Sequence, residues 1–399
     1  MIRPRIRITF TQHGTEFYPD RANSFVMQFV HECEITSSWK NLTGTCKITF
    51  PKNIIIRRAD GTKYDLSSTV NMIGGSEGSE PPLFARGDSV KVEECYWYYD
   101  AQGNEQRPDY YTTFEGWITK VKTKVPIELD CEDNMYQLKQ IQIPKNKRFY
   151  PSNKWTAETM VKDLLQGTGF TLADPPSGVS TNIGDFRIVD DITIGRMLEI
   201  LQKDYHIESW FRGTVLHSSA IVYYPNDPQQ KSPVFQDTKN IVQNDLDYTR
   251  QDDILMGAKA ISVNKTEATK VNSRGHATKV HKRLEAFVGR SGGDVRTLWF
   301  YDIATVAELK KQGELKLRRF YYEGFRGNFT TFGEPYTYHG DLARIQSLKF
   351  PDTNGTYFVK SVTRTSGVGG RRQKIELDLR VNESDSDKYL SQQDIAAGI

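Results

Sequence analysis

Lys374-Ile375-Glu376-Leu377-Asp378-Leu379-Arg380-Val381 alternates charged and aliphatic residues without a break. A strand turns successive side chains to opposite faces, so Ile375, Leu377, Leu379 and Val381 share one side and the charges share the other. The stretch predicts a strand with one buried and one wet face. Its core, Ile-Glu-Leu-Asp, also stands at Ile127-Glu128-Leu129-Asp130, where Cys131 and Glu132 continue the alternation.

Working back from the two copies gives one order twice. Gly87-Asp88-Ser89-Val90-Lys91-Val92 leads through the aromatic strand Phe114-Glu115-Gly116-Trp117-Ile118-Thr119-Lys120-Val121 to Ile127. Gly340-Asp341-Leu342-Ala343-Arg344-Ile345 leads through Tyr357–Thr363 to Ile375. Gly87 stands 40 residues before Ile127, and Gly340 stands 35 before Ile375, close enough for the same strands joined by different turns. The order predicts an internal duplication: two related small β-barrels, one near each end of the chain.

Between them the pattern becomes helical. Trp155–Gln166 places Met160, Val161, Leu164 and Leu165 on one face and stops at Gly167 and Gly169. Thr193 is placed to cap a second helix whose stripe is Ile194, Met197, Leu198 and Leu201, and a hairpin over His206–Tyr224 turns at Arg212-Gly213. Further strands are expected at Arg5–Phe10, Ser24–Glu34, Leu42–Phe50 and Ser89–Tyr99, and Gly367–Arg372 reads as a hairpin turn. Thr305-x-x-Glu308 has capping-box spacing, and that helix would end on the basic run Lys316–Arg319. The fold class is therefore mainly β with α+β insertions. Its expected division is a first barrel over residues 1–147, an α+β module over 148–240, a second barrel over 241–382 with a helical and basic insertion at about 265–335, and a polar tail over 383–399.

The composition excludes several functions. The chain has 399 residues, with 53 Lys and Arg against 50 Asp and Glu, so the net charge of +3 supplies no field for a dedicated polyelectrolyte partner. Met1–Phe10 alternates arginine with apolar residues and lacks the h-region of a signal peptide, and no apolar run of about 18 residues is present to span a bilayer. Cys33, Cys46, Cys95 and Cys131 form no C-x-x-C pair and read as buried reduced thiols.

No catalytic, cofactor-binding or metal-binding residues are assigned. Gly74-Gly75-Ser76-Glu77-Gly78 matches G-x-S-x-G, but Ser79-Glu80-Pro81-Pro82 follows where a nucleophile elbow opens a helix, so Ser76 reads as part of a long loop, 71–87. The seven histidines (13, 31, 206, 217, 276, 281 and 339) form no ligand spacing, and His276 and His281 read as solvated. Asp190-Asp191 and Asp252-Asp253 suit element starts, where capping explains them. The run Asn264–Arg283 carries Lys265, Lys270, Arg274, Lys279, Lys282 and Arg283 against Glu267 alone. It is either a solvated hairpin or insertion, or a contact surface for an acidic partner, a neighbouring protein or passing nucleic acid.

Taken in order, the Gly87-Asp88 strand start, Phe114–Ile118 with Ile127–Asp130, the helices around Leu164 and Leu198, the Trp210–Leu216 hairpin and the closing Ile375–Val381 strand resemble the baseplate hub proteins of contractile phage tails, the late-control protein D family, which are related to the hub portion of type VI secretion spike proteins. The resemblance implies a ring-shaped homotrimer whose two barrels per chain form a pseudo-hexameric collar. One side of that collar would meet the hexameric tail tube and the other a trimeric spike protein, with baseplate and tape-measure proteins as further partners. It also implies assembly in the bacterial cytoplasm followed by residence in the virion tail, DNA passing only through the channel without specific binding, no membrane insertion, no cofactor and no enzymatic activity. The chain carries no β-helical spike repeat and no lysozyme-like domain, so a separate spike chain is expected. The loop 71–87 is the favoured candidate for contact with tube or neighbour. The competing readings are a carbohydrate-binding or adhesin-like β protein, whose aromatics would form exposed platforms, and a serine hydrolase acting through Ser76.

Overall fold

The computed structural model describes residues 2–51, 55–57, 63–65, 81–122, 126–150, 155–174, 183, 186–205, 207–219, 230–250, 256–271, 277–301, 303, 305–307, 309–310, 313–314, 317, 323–347, 349 and 353–381. The first part of the chain forms β1 (Ile2–Thr11), β2 (Ser24–Met27), β3 (Glu32–Ser38), β4 (Thr45–Thr49), β5 (Ile55–Arg57), β6 (Lys63–Asp65), β7 (Ser89–Tyr99), β8 (Glu105–Gln106), β9 (Tyr111–Lys122) and β10 (Glu128–Glu132). The middle forms α1 (Met135–Leu138), β11 (Phe149–Tyr150), α2 (Ala157–Leu164), β12 (Thr171–Leu172), β13 (Phe186–Arg187), α3 (Ile194–Tyr205), β14 (Glu208–Arg212) and β15 (Val215–Ser219). The last part forms β16 (Val234–Gln236), β17 (Ile241–Thr249), β18 (Met256–Val271), β19 (Ala277–Gly289), β20 (Asp294–Tyr301), β21 (Gly324–Thr331), β22 (Leu342–Gln346), β23 (Gly355–Gly367) and β24 (Gly370–Val381).

The protein is mainly β, with few helices. A large, predominantly antiparallel sheet of fourteen strands runs β17-β21-β24-β23-β3-β4-β10-β9-β7-β1-β2, with β16, β22 and β8 attached beside it. The sequence predicts two separate barrels; the strands expected to form them instead join in one continuous sheet that does not close. The cause is the length of β23. Its first residues pair with the five-residue β22 and its remainder, Ser361–Gly367, extends past that short strand and pairs with β3 across more than 320 residues of sequence. The expected single strand over Ser24–Glu34 is two strands, because the chain leaves the ladder after Met27 and begins pairing again at Glu32.

Each face of the sheet follows from the alternation. Ile35, Ile48, Leu129, Ile118, Val362 and Ile375 are buried on one face. The other carries Glu34, Thr36, Lys47, Glu128, Asp130, Lys120, Lys122, Thr363, Lys374 and Glu376. Burying one face of aliphatics at roughly 25 cal/mol per Å² supplies the driving force, and a slip of one residue would reverse the faces, which is what holds the register.

The middle of the chain has its own core of Met160, Val161, Leu164, Met197, Leu198, Leu201, Phe211 and Leu216. Thr156 caps α2, its hydroxyl accepting from the Thr159 amide, and Gly167 (φ +79°) ends that turn. Thr193 caps α3 as expected, accepting from the Arg196 amide at 3.3 Å, and Gly213 (φ +60°) turns the β14–β15 hairpin. In the basic stretch β18 and β19 pair antiparallel, with β20 parallel to β18, and the three strands stand between β17 and β21 in the chain. Among the described residues no helix is long and apolar enough to cross a membrane.

Candidate assembly interface

The two Gly-Asp turns are the same device built twice. At the first, Gly87 (φ +91°) lets the chain reverse so that the Asp88 carboxylate accepts the Ala85 amide at 2.8 Å; at the second, Gly340 (φ +84°) lets Asp341 accept the Tyr338 amide at 2.7 Å. Gly87 then donates its amide to Ile118 O and Ile118 donates back to Asp88 O, both at 2.8 Å; Gly340 and Val359 repeat the exchange with Asp341 O at 2.9 Å. A second donor reaches each carboxylate at 3.0 Å: the His13 amide at Asp88 and the Lys231 amide at Asp341. An arginine closes each: Arg21 binds Asp88 with both nitrogens at 2.7 and 3.0 Å, and Arg212 lies 3.5 Å from Asp341. Burial raises the Asp341 carboxyl above its ordinary range, partly opposed by Arg212.

These pairings fix the equivalence of the halves: Ile118 matches Val359, Val121 matches Val362, and Cys131, opposite Ile118, matches Leu377, opposite Val359. Both third strands break step at the same place, Thr119 bulging in one half and Lys360 in the other. The Ile-Glu-Leu-Asp match at 127 and 375 is thereby shifted: Leu129, not Ile127, stands where Ile375 does. Beyond these strands, β10-β4-β3 corresponds to β24-β21-β17.

The halves meet along β23 and β3. Thr363 pairs with Thr36, Thr365 with Glu34, and Ser38 donates its hydroxyl to Lys360 O at 3.2 Å. Behind the junction, on the buried face, Arg371 of β24 lies 3.0 Å from Glu94 of β7 with both side chains 1% exposed, and also bonds Tyr111. Ser366 donates to Glu94 and Tyr96 donates to Phe332 O. Buried charges persist only where paired, so this network ties the two halves at one relative position.

The same equivalence exposes an unfilled position. β17 matches β3, yet among the described residues it pairs with β21 only, and Val242–Asp245 are exposed along its free side. β9 matches β23, yet past Trp117 it pairs with β10 only. Transferring the β23–β3 register sets Lys120 opposite Thr249, Val121 opposite Tyr248 and Lys122 opposite Asp247.

The structure brings Asp88 and Asp341 into matching sites whose arginine partners, Arg21 and Arg212, the sequence reading missed. A signal was available for Arg212, two residues past Trp210 at the end of the same strand, but none marks Arg21. Of the remaining sequence candidates, Ser76, residues 71–80, His276 and Asp252-Asp253 lie outside the described residues, while Pro81–Gly87 lead into the first Asp turn. Asp191 pairs with Arg148, and His217 and His339 pack against Trp210. All four cysteines are buried and unbonded, Cys33 and Cys46 standing 3.7 Å apart.

No family model and no curated protein matches the sequence. The fold matches solved structures along the whole chain. It is similar to a tail protein of Neisseria meningitidis with a TM-score of 0.58 at 12% identity, covering 98% of this chain and 99% of that one. It is similar to the 43 kDa tail protein of prophage MuSo2 from Shewanella oneidensis with a TM-score of 0.55 at 13% identity, covering 99% of each. A prophage tail protein, gp18, of Listeria monocytogenes matches with a TM-score of 0.50 at 9% identity, covering 98% and 97%. The chain has the fold of these phage and prophage tail proteins.

Proposed function

We propose that the protein is a structural component of a phage tail or related injection device: a baseplate hub that trimerises into a ring and joins a hexameric tail tube to a trimeric spike. The whole-length fold likeness to tail proteins supports the tail role. The observation that carries the ring is the open position at β17. A nine-residue strand with an exposed edge that no described strand pairs is a template for pairing, and natural sheets cover such edges. When β17 of one copy takes the place beside β9 of the next that β3 takes beside β23, each copy supplies two equivalent halves and three copies close six of them into one barrel. The polar face then lines the bore. Its charges come in both signs, with Lys122 bonded to Asp130 at 2.7 Å and Lys360 to Glu376 at 2.6 Å, which suits passage without specific binding.

The division into two barrel-forming halves, a middle module and a tail follows the same reading, as do residence in the virion tail and a role without catalysis. The β18–β19–β20 insertion lies in the second half alone, where the first half has only residues 39–44 between β3 and β4, so a ring of six halves would carry it three times. That asymmetry marks a threefold on a quasi-sixfold ring.

The test is the mass of the purified protein by light scattering, alone and with its cognate spike. A species of three times 45.7 kDa is expected. Asp245→Lys with Asp247→Lys should return a folded monomer, and adding Lys122→Asp should restore the ring. A reversal that leaves the trimer intact overturns the β17 closure; a monomer under every condition, including with spike, overturns the hub.

A further inference from the structure

At the seam between the halves a cavity of about 670 Å³ opens beside β1. Its walls include Pro4 and the rings of Tyr96, Tyr98, Tyr111 and Phe332, and Tyr98 and Phe332, 41% and 49% exposed, stand at its mouth. An apolar pocket of this size is a binding site when a few polar groups converge on it. Arg371 supplies one. Its guanidinium lies 4.8 Å from the Tyr96 ring and 5.1 Å from the Tyr111 ring. Nη2 is taken up by Glu94 and Tyr111, but Nη1 is buried and makes no hydrogen bond among the described residues. Glu334, whose Oε1 is 3.5 Å from Nη1, already accepts from the Tyr111 hydroxyl at 2.7 Å and from the Tyr336 amide at 2.9 Å. The wall therefore offers a donor on a cation, and a carboxylate answers both the donor and the charge.

A second observation says what carries that carboxylate. β2 pairs with Ile8–Thr11 of β1, and no described strand pairs that side of Ile2–Arg7. Gln12 donates its amide to Asn23 O on the β2 side at 2.8 Å, so by alternation the backbone groups of Ile2, Pro4 and Ile6 turn the same way. Pro4 costs this edge one donor and leaves the β7 ladder whole. A strand laid along the edge points alternate side chains to the face of Pro4 and Tyr96, where the cavity lies. Its other side chains meet Arg3 and Arg5. Arg7 on that face is paired with Glu93 at 2.8 Å, whereas Arg3 and Arg5 rest on Tyr99 and Trp97 with no carboxylate partner among the described residues, and the Arg5 Nε is buried without a hydrogen bond. Both faces of the edge thus favour acid, and the edge itself fits a main chain.

We propose that an extended acidic segment of a partner polypeptide adds to β1 along Ile2–Arg7, setting an apolar side chain between Tyr98 and Phe332 with a carboxylate toward Arg371, and further carboxylates toward Arg3 and Arg5. The site stands apart from the ring closure, which uses β17 and β9.

The probe is a capped, dye-labelled hexapeptide of glutamates with one central phenylalanine, titrated into the full chain by fluorescence anisotropy. It should bind saturably, at least tenfold tighter than the same peptide with lysine in place of glutamate, and weaken in 1 M salt. Phe332→Ala should weaken it about tenfold and Arg3→Glu about threefold or more; both positions are exposed, so the fold is kept. Of the two alternately N-methylated forms of the peptide, the one that loses the amides facing β1 should bind about tenfold more weakly. Equal binding of the glutamate and lysine peptides, or none, overturns the acidic partner. Equal binding of both N-methylated forms and the parent, with phenylacetate displacing all three, overturns the added strand in favour of a free small acid in the cavity. Asp245→Lys with Asp247→Lys should leave peptide binding unchanged, so a failure of the ring and a failure of this site are told apart.

Discussion

Asparagine in place of Asp88 and of Asp341 should separate two turns that look alike. At Asp88 the carboxylate receives four donors: Arg21 at 2.7 and 3.0 Å, the His13 amide at 3.0 Å and the Ala85 amide at 2.8 Å. The ion pair is sealed, with side chains 1% and 2% exposed. Asp88→Asn keeps the shape but leaves the Arg21 guanidinium buried without its counter-charge, and breaking one partner of a buried pair costs about 3–5 kcal/mol. At Asp341 the two amides remain, but Arg212 is 3.5 Å away and also bonds His339 O at 3.0 Å. Burial already disfavours the ionised Asp341, so neutralising it loses only part of a charged hydrogen bond, about 1.5–3 kcal/mol. The central difference is about 2 kcal/mol, or roughly thirtyfold in an opening equilibrium. Amide hydrogen exchange under native conditions reads it locally: Gly87 and Ile118 in the first variant should lose more protection than Gly340 and Val359 in the second. Equal losses, or a larger loss at the second turn, would refute the assignment of Arg21 as the decisive partner.

Three further outcomes are expected. Gly367→Ala places a Cβ 2.2 Å from His31 O at a backbone φ of +157°, so it should loosen the β23–β3 junction by about 2 kcal/mol or more and raise exchange at Ser361–Ser366 while leaving the middle core unchanged. Burial pushes the Asp133 carboxyl up to about 7, against the Gly44 and Met135 amides that favour its charge; the folded state therefore holds a proton the unfolded state releases, and stability should fall as pH rises from about 4 to 7. Asp133→Asn should flatten that slope in denaturant titrations across this window, and an unchanged slope counts against it. Burial likewise pushes the Cys46 and Cys131 thiols well up, so a thiol reagent should label the native protein slowly and all four cysteines quickly in denaturant; rapid labelling of either residue in the native state would contradict the buried assignment.

Local chemistry was legible where one segment decides its own structure. The alternation at Ile375–Val381, the glycine stops after α2, the Thr193 cap and the Arg212-Gly213 turn each depend on neighbours within a few residues, and each stands where expected. The duplication was legible in order but not in register. A strand repeats every two residues, so a match displaced by two positions buries the same face and satisfies the same pattern. The sequence therefore aligns Ile127 with Ile375, and only the bonds from Gly87 and Gly340 to Ile118 and Val359 put Leu129 in that place.

The sequence by itself determined that the chain is mainly β, that it carries one design twice, and that each sheet strand has a wet and a dry side, because propensity and alternation are properties of short stretches. Tertiary structure alone decided how the copies are joined: the overhang of β23 past β22 onto β3, the reach of Arg21 to Asp88, the Arg371–Glu94 pair across the halves, and the side of β17 that no described strand pairs. Each depends on which edge outlasts its neighbour and which buried charge finds its opposite. Those are questions of distance in the folded chain, between residues 67 to more than 320 apart in sequence, and no local pattern encodes them.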